Sequence, residues 1–170
     1  MASTGEHIAF DRMLVVEDDE RTQRRLVQLL LELTDSIDNI AVADGVASAK
    51  TLISASAPTL ALVDIGLPDG NGLELISWIG QHHASVVTVA ISAWGHEEVV
   101  LVALRSGAVG YLMKERDNAE LIAALQSIRR GGALIDPLIA RRILDFVQLV
   151  PTAQRVRPLK GTSINCPLLV

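Results

Sequence analysis

One cysteine, Cys166, stands in a chain of 170 residues, so no internal disulfide can form. A reducing, cytoplasmic setting is expected. Aromatic residues are scarce, at 3% against 49% hydrophobic, so any core must be built from Leu, Val, Ile and Ala. That apolar fraction belongs to a globular chain, not a disordered one. No apolar run approaches the ~20 residues that span a bilayer. The opening "MASTGEHIAFDR" carries acids and lacks the basic-then-apolar pattern of a secretion signal. Basic charge is not in excess. Lys and Arg number 15 against 20 Asp and Glu, a net charge of −5. This argues against a chain whose whole surface grips nucleic acid, while leaving room for a local basic patch. The length suits one ordinary domain with a real core.

Five short apolar runs stand out: "MLVV", "NIAVADG", "TLALVD", "SVVTVAISA" and "VGYLMK". They read as strands. Helical patterns alternate with them. From Glu20, Leu26, Leu29, Leu30 and Leu33 recur at helical spacing, with Arg21, Arg24 and Arg25 between them. "VASAKTLISASA", "GLELISWIGQHH" and "HEEVVLVALRSG" follow, the first of these stopped by Pro58 and the last by Gly107. "DNAELIAALQSIRRGG" opens with Asp117 and Glu120 at capping-box spacing and ends in Arg129, Arg130 and Gly131. The strands are continuous apolar runs, not alternating ones. That is the mark of parallel strands covered on both faces, so a doubly wound α/β domain is expected.

In such sheets the site lies at the carboxyl ends of the strands. Strand one ends in Glu17, Asp18 and Asp19, strand three in Asp64, strand four in Ser92 and strand five in Lys114. Each alone has an ordinary explanation. Asp64 could form a turn, the acids could favour a helix N-terminus, Ser92 could be a small strand residue and Lys114 a surface lysine. Together they describe one site, if strand one lies between two and three. Clustered carboxylates repel one another, and a hard divalent cation such as Mg²⁺ relieves this. A carboxylate so held can attack phosphorus, with Lys114 and Ser92 meeting the phosphoryl oxygens.

The texts "LVVEDDE", "ALVDIGLPDGNGLELI", "VAISA" and "SGAVGYLMK" resemble the receiver domain of two-component response regulators, from about Met13 to about Val147. The resemblance implies a flavodoxin-like, five-stranded parallel sheet in the order 2-1-3-4-5, with helices on both faces. It implies that Asp64 is the phosphoacceptor. Asp18 and Asp19 resemble the acidic pair, Asp19 ligating Mg²⁺ directly and Asp18 through water. The Gly66 carbonyl resembles a third protein ligand. Ser92 resembles the residue that senses the phosphoryl group and Lys114 the lysine that pairs with it. Tyr111 resembles the aromatic switch, plain strand packing being the other reading. Pro68 and Gly72 match the loop after the acceptor. The implied partner is a sensor histidine kinase or phosphotransfer protein. The implied chemistry is self-catalysed phosphorylation and slow hydrolysis, with no turnover of outside substrates. Gly66 is expected to leave one side of the acceptor open and Trp94 to crowd the other.

The expected organisation is a leader over 1–12, the receiver over 13–132, an extra C-terminal helix over 133–150 and an irregular tail over 151–170. Asp136 and Pro137 look like the start of that helix, and Ile139, Ile143 and Phe146 or Val147 form its apolar stripe. Similar text joins receiver to helix-turn-helix in LuxR-type, nitrate-response-like regulators. The tail is too short and proline-rich for such an output domain, so DNA contact is expected only through a domain absent from this chain. Arg155, Arg157 and Lys160 read as a solvated linker, and a homodimer is an open possibility. Two other readings compete. A phosphatase of the haloacid-dehalogenase type also uses a strand-end Asp, but resembles its kin in a second Asp two residues on, where this chain has Gly66. A pseudo-receiver would keep the fold and accept no phosphoryl group.

Overall fold

The computed structural model describes residues 8–135 and, beyond them, Pro137, Ala140, Arg141, Leu144 and Asp145. The five expected strands are β1 (Met13–Val16), β2 (Ile40–Ala43), β3 (Leu60–Asp64), β6 (Val87–Ser92) and β7 (Gly110–Met113). Between β3 and β6 lie two further short strands, β4 (Gly66–Leu67) and β5 (Gly70–Asn71), paired antiparallel. Their two-residue turn is Pro68 and Asp69, so the segment expected as a loop is a small hairpin. The helices are α1 (Glu20–Leu31), α2 (Val46–Ser56), α3 (Gly72–His82), α4 (Glu97–Arg105) and α5 (Asn118–Arg129).

The sheet runs β2-β1-β3-β6-β7, all parallel, which is the expected order. A two-residue strand, β8 (Leu134–Ile135), adds to the β7 edge. It falls where the extra helix was expected to begin. Gly131, at φ 81°, turns the chain back after α5 and lays Leu134 beside Gly110. Pro137, Ala140, Arg141, Leu144 and Asp145 are helical. Asp136, the stripe of Ile139, Ile143, Phe146 and Val147, and the tail with Arg155, Arg157, Lys160 and Cys166 lie outside the described residues.

Two aliphatic cores sandwich the sheet. Leu14, Val16, Ala61, Val63, Ala90 and Tyr111 pack against α2, α3 and α4 through Ile53, Leu75, Ile79 and Val100. Met13, Val15, Leu60, Leu62, Ile91 and Leu112 pack against α1 and α5 through Leu26, Leu30, Leu125 and Ile128. Alternate residues of each strand face opposite cores, as strand geometry requires. Fully burying each Leu, Ile or Val contributes about 1.5–3 kcal/mol. The end of the leader joins this core. Phe10 is buried, and the Ile8 N–H donates to the Arg129 carbonyl at 2.9 Å.

The helix boundaries follow local chemistry. Gly107, at φ 109°, stops α4 where an L side chain would be strained. The Asp117 carboxylate accepts from the Glu120 N–H at 2.8 Å and caps α5. Glu120 turns its own side chain to Arg116, 3.4 Å away, so only half of the expected capping box forms.

Candidate phosphoacceptor site

Parallel register brings the strand ends level. Past the last paired residues, the Glu17 N–H still donates to the Ala43 carbonyl, Ile65 to Ile91 and Lys114 to Ser92, at 2.8–3.1 Å. Period-two alternation then sorts the side chains. Glu17, Asp64 and Lys114 continue the rows that face α1 and α5, namely Met13–Val15, Leu60–Leu62 and Leu112. Ser92 and Tyr111 continue or belong to the row on the other face.

Lys114 Nζ lies 2.8 Å from Asp64 Oδ2 and 2.5 Å from Glu17 Oε2. Asp64 and Glu17 are both buried, at 6% and 1% exposure. Carboxylate oxygens of Glu17, Asp18 and Asp64 all lie within 4.8 Å of one another. Three carboxylates against one ammonium leave the site short of positive charge. Burial raises the Glu17 pKa, the Lys114 ammonium pulls it back, and repulsion from Asp64 adds to the rise. Burial alone would lower the Lys114 pKa, but the Asp64 and Glu17 carboxylates outweigh it and hold it above the ordinary lysine value.

These residues fit Mg²⁺. The donors are hard oxygens, and Glu17 and Asp64 share the one Lys114 ammonium while Asp18 adds a third carboxylate. Mg²⁺ typically takes one or two carboxylates and keeps several waters.

The grouping differs from the expected acidic pair. Asp19 stands outside it. It is the N-cap of α1, its Oδ1 3.4 Å from both the Thr22 N–H and hydroxyl. An N-cap carboxylate is drawn to the free amides of the first turn. Glu17, named at the strand end but given no ligand role, takes the inward place. Asp18 is in the cluster as expected.

The loop after Asp64 is tied down twice. The Gly66 N–H donates to Asp64 Oδ1 at 3.3 Å. Asp69 reaches across to α2, its two oxygens accepting from the Val46 and Ala47 N–H groups at 2.7 and 2.9 Å. Gly66 has open space where a Cβ would be.

Ser92 is buried, and its Oγ accepts from the Trp94 N–H at 3.0 Å. Tyr111 is fully buried, and its hydroxyl donates to the Trp94 carbonyl. Burial raises the Tyr111 pKa, a hydrogen bond with Ser92 opposes this, and Asp64 adds to it. The Trp94 backbone thus links Ser92 to Tyr111. The Trp94 indole, expected to crowd the acceptor, is 69% exposed and stacks on His96 with ring centres 6.3 Å apart.

Residues 13–126 match the model of the response regulator receiver domain. The chain belongs to that family, and is a receiver domain of the two-component signalling type. It is 30% identical over 152 residues to the DNA-binding transcriptional activator DevR/DosR of Mycobacterium tuberculosis, covering 89% of this chain and 69% of the relative. It is 30% identical over 131 residues to the transcriptional regulatory protein DegU of Brevibacillus brevis, covering 77% of this chain but 56% of the relative. A LuxR-family two-component response regulator from Aurantimonas superposes with a TM-score of 0.73 at 24% identity, covering 82% of this chain and 99% of that one. The signal receiver domain of the putative response regulator NarL from Mycobacterium tuberculosis gives 0.62 at 27% identity, covering 71% and 96%. These findings favour the receiver over the phosphatase and the pseudo-receiver. Among the described residues no helix is long and apolar enough to cross a membrane.

Proposed function

We propose that Asp64 is the phosphoacceptor and that its chemistry runs in the cluster of Glu17, Asp18 and Lys114. The observation that carries this is the buried Asp64 carboxylate, gripped by Lys114 at 2.8 Å and lying in one cluster with two further carboxylates. An Asp64 oxygen attacks phosphorus in line, forming an O–P bond. The bond from phosphorus to the donor nitrogen of a phosphohistidine breaks, and the donor nitrogen keeps the electron pair. Lys114 orients the carboxylate before attack and meets a phosphoryl oxygen after it. Glu17, Asp18, Asp64 and the Gly66 carbonyl would hold Mg²⁺, which would supply positive charge to the transferred group.

Ser92 then turns its hydroxyl toward the phosphoryl group. In doing so it gives up the Trp94 N–H, and the backbone that anchors Tyr111 shifts. Tyr111 and the segment before α4 form the two-state element. The donor is a sensor histidine kinase or a phosphotransfer protein. The output is regulation of transcription, through a DNA-binding domain in a parent or partner protein and with pairing of two receivers. The relatives support this, since DevR/DosR is described as a DNA-binding transcriptional activator.

The test is intact mass after incubation with acetyl phosphate and Mg²⁺. Wild type gains one phosphoryl group, lost with EDTA and absent in Asp64→Asn. Failure of the folded wild type, also with a histidine kinase, moves the reading to a pseudo-receiver. Turnover of a generic phosphate ester moves it to the phosphatase.

A further inference from the structure

Arg25 lies on α1, in a basic group whose spacing with Arg21 and Arg24 fits either a solvated face or a kinase contact. Arg24 is in an exposed ion pair with Glu20. Arg25 is half-buried, and all three nitrogens of its guanidinium are spent on the β7–α5 loop and the first residue of α5. Nε donates to Asn118 Oδ1 at 2.9 Å, one terminal nitrogen to the Lys114 carbonyl at 2.5 Å, and the other to the Arg116 carbonyl. These partners lie 89 to 93 residues away in sequence.

We propose that Arg25 is a positioning residue for Lys114, clamping the β7–α5 loop so that the lysine reaches Asp64 and Glu17. The proposal rests on the phosphoacceptor reading above. Lys114 is the first residue after β7, and its N–H is already fixed to the Ser92 carbonyl at 2.8 Å. Its carbonyl has no strand partner to continue the ladder, and Arg25 supplies one. With both peptide groups held, the side chain leaves the backbone in one direction. A guanidinium is suited to the task, because its planar fork offers donors at fixed angles. A lysine here would present one point charge and hold one carbonyl at a time.

The test is the rate of acyl phosphate formation from acetyl phosphate in wild type, Arg25→Ala, Arg25→Lys, Lys114→Ala and the Arg25→Ala/Lys114→Ala double variant. Mg²⁺ affinity is measured in parallel. Arg25→Ala and Arg25→Lys should each slow phosphorylation by about 10–100-fold, the scale of a misplacement of about 1 Å. Mg²⁺ affinity should change less than about threefold, because Arg25 touches none of the acidic cluster. In the Lys114→Ala background, Arg25→Ala should slow the reaction no further. An additive loss in the double variant, or wild-type rates in the folded Arg25→Lys protein, overturns the clamp. If wild type itself takes no phosphoryl group, the underlying reading fails, and crystal structures judge the clamp alone. Lys114 Nζ within 3 Å of Asp64 in Arg25→Lys, as in wild type, overturns it. A withdrawn Nζ upholds it.

Discussion

A Cβ placed on Gly72 would lie 2.0 Å from the carbonyl oxygen of Asp64 and 2.8 Å from the Ile65 Cα. Both obstacles are backbone, so neither can swing aside. The Gly72 N–H also donates to the Ile65 carbonyl at 3.0 Å, which closes the hairpin onto the acceptor. Gly72→Ala is expected to cost about 1–3 kcal/mol, the range for overpacking, and to slow phosphoryl uptake by moving Asp64. Gly66→Ala is the control, since a Cβ there meets nothing within 4 Å. Urea midpoints and acetyl phosphate kinetics check both. Equal behaviour of the two variants would remove the steric argument.

Tyr111→Phe keeps the buried ring and removes its donor to the Trp94 carbonyl. A lost hydrogen bond of this kind costs about 0.5–1.5 kcal/mol. The larger effect should be local. The Trp94 amide, which donates to Ser92, should exchange its hydrogen faster when the carbonyl of the same residue is untethered. Hydrogen exchange by NMR reads this directly. Unchanged protection at Trp94 would mean that Tyr111 packs in the strand without holding the switch segment.

Asp69 gives a pH prediction. Hydrogen bonds from the backbone of Ala47 and then Val46 lower its pKa below the ordinary 3.8. A carboxylate depressed in the folded state contributes stability above its unfolded value. That contribution is lost as pH falls through the folded value. Asp69→Ala should therefore be less stable than wild type at neutral pH, and the gap should close below about pH 3.8. Chemical denaturation across a pH series measures it. A gap that persists undiminished in acid would show that the side chain acts through packing and not through its charge.

The fold was legible because each of the five strands is a closed apolar run with an abrupt polar or glycine stop. The hairpin of Gly66–Leu67 and Gly70–Asn71 was not legible. Two-residue strands carry no period, and their glycines read equally as loop. Leu134–Ile135 was hidden in the same way, its two apolar residues merging with the helical pattern after them. Asp64, Ser92 and Lys114 could be placed because each ends a strand. The choice among Glu17, Asp18 and Asp19 could not. With both faces of β1 buried, hydropathy shows no alternation that says which acid turns inward. Arg25 was visible only as part of a basic group, and its partners, some ninety residues away, were not.

The acidic run therefore carries the sharpest prediction. Asp19 precedes a helical pattern that begins at Glu20, which is the sequence signal of an N-cap, and it does cap α1. Asp19→Ala should cost about 0.5–2 kcal/mol of stability, the range for a lost cap. It should leave Mg²⁺ affinity within about threefold of wild type, because its carboxylate stands outside the cluster. Glu17→Gln and Asp18→Asn should do the reverse. Each removes one charge from the three clustered carboxylates, and a tenfold or greater loss of Mg²⁺ affinity, about 1.4 kcal/mol, is expected from either. Calorimetric titration of Mg²⁺ into the four proteins separates the cases. A tenfold loss in Asp19→Ala with none in Glu17→Gln would return the metal to Asp18 and Asp19. The cap would then have to open before the site could fill.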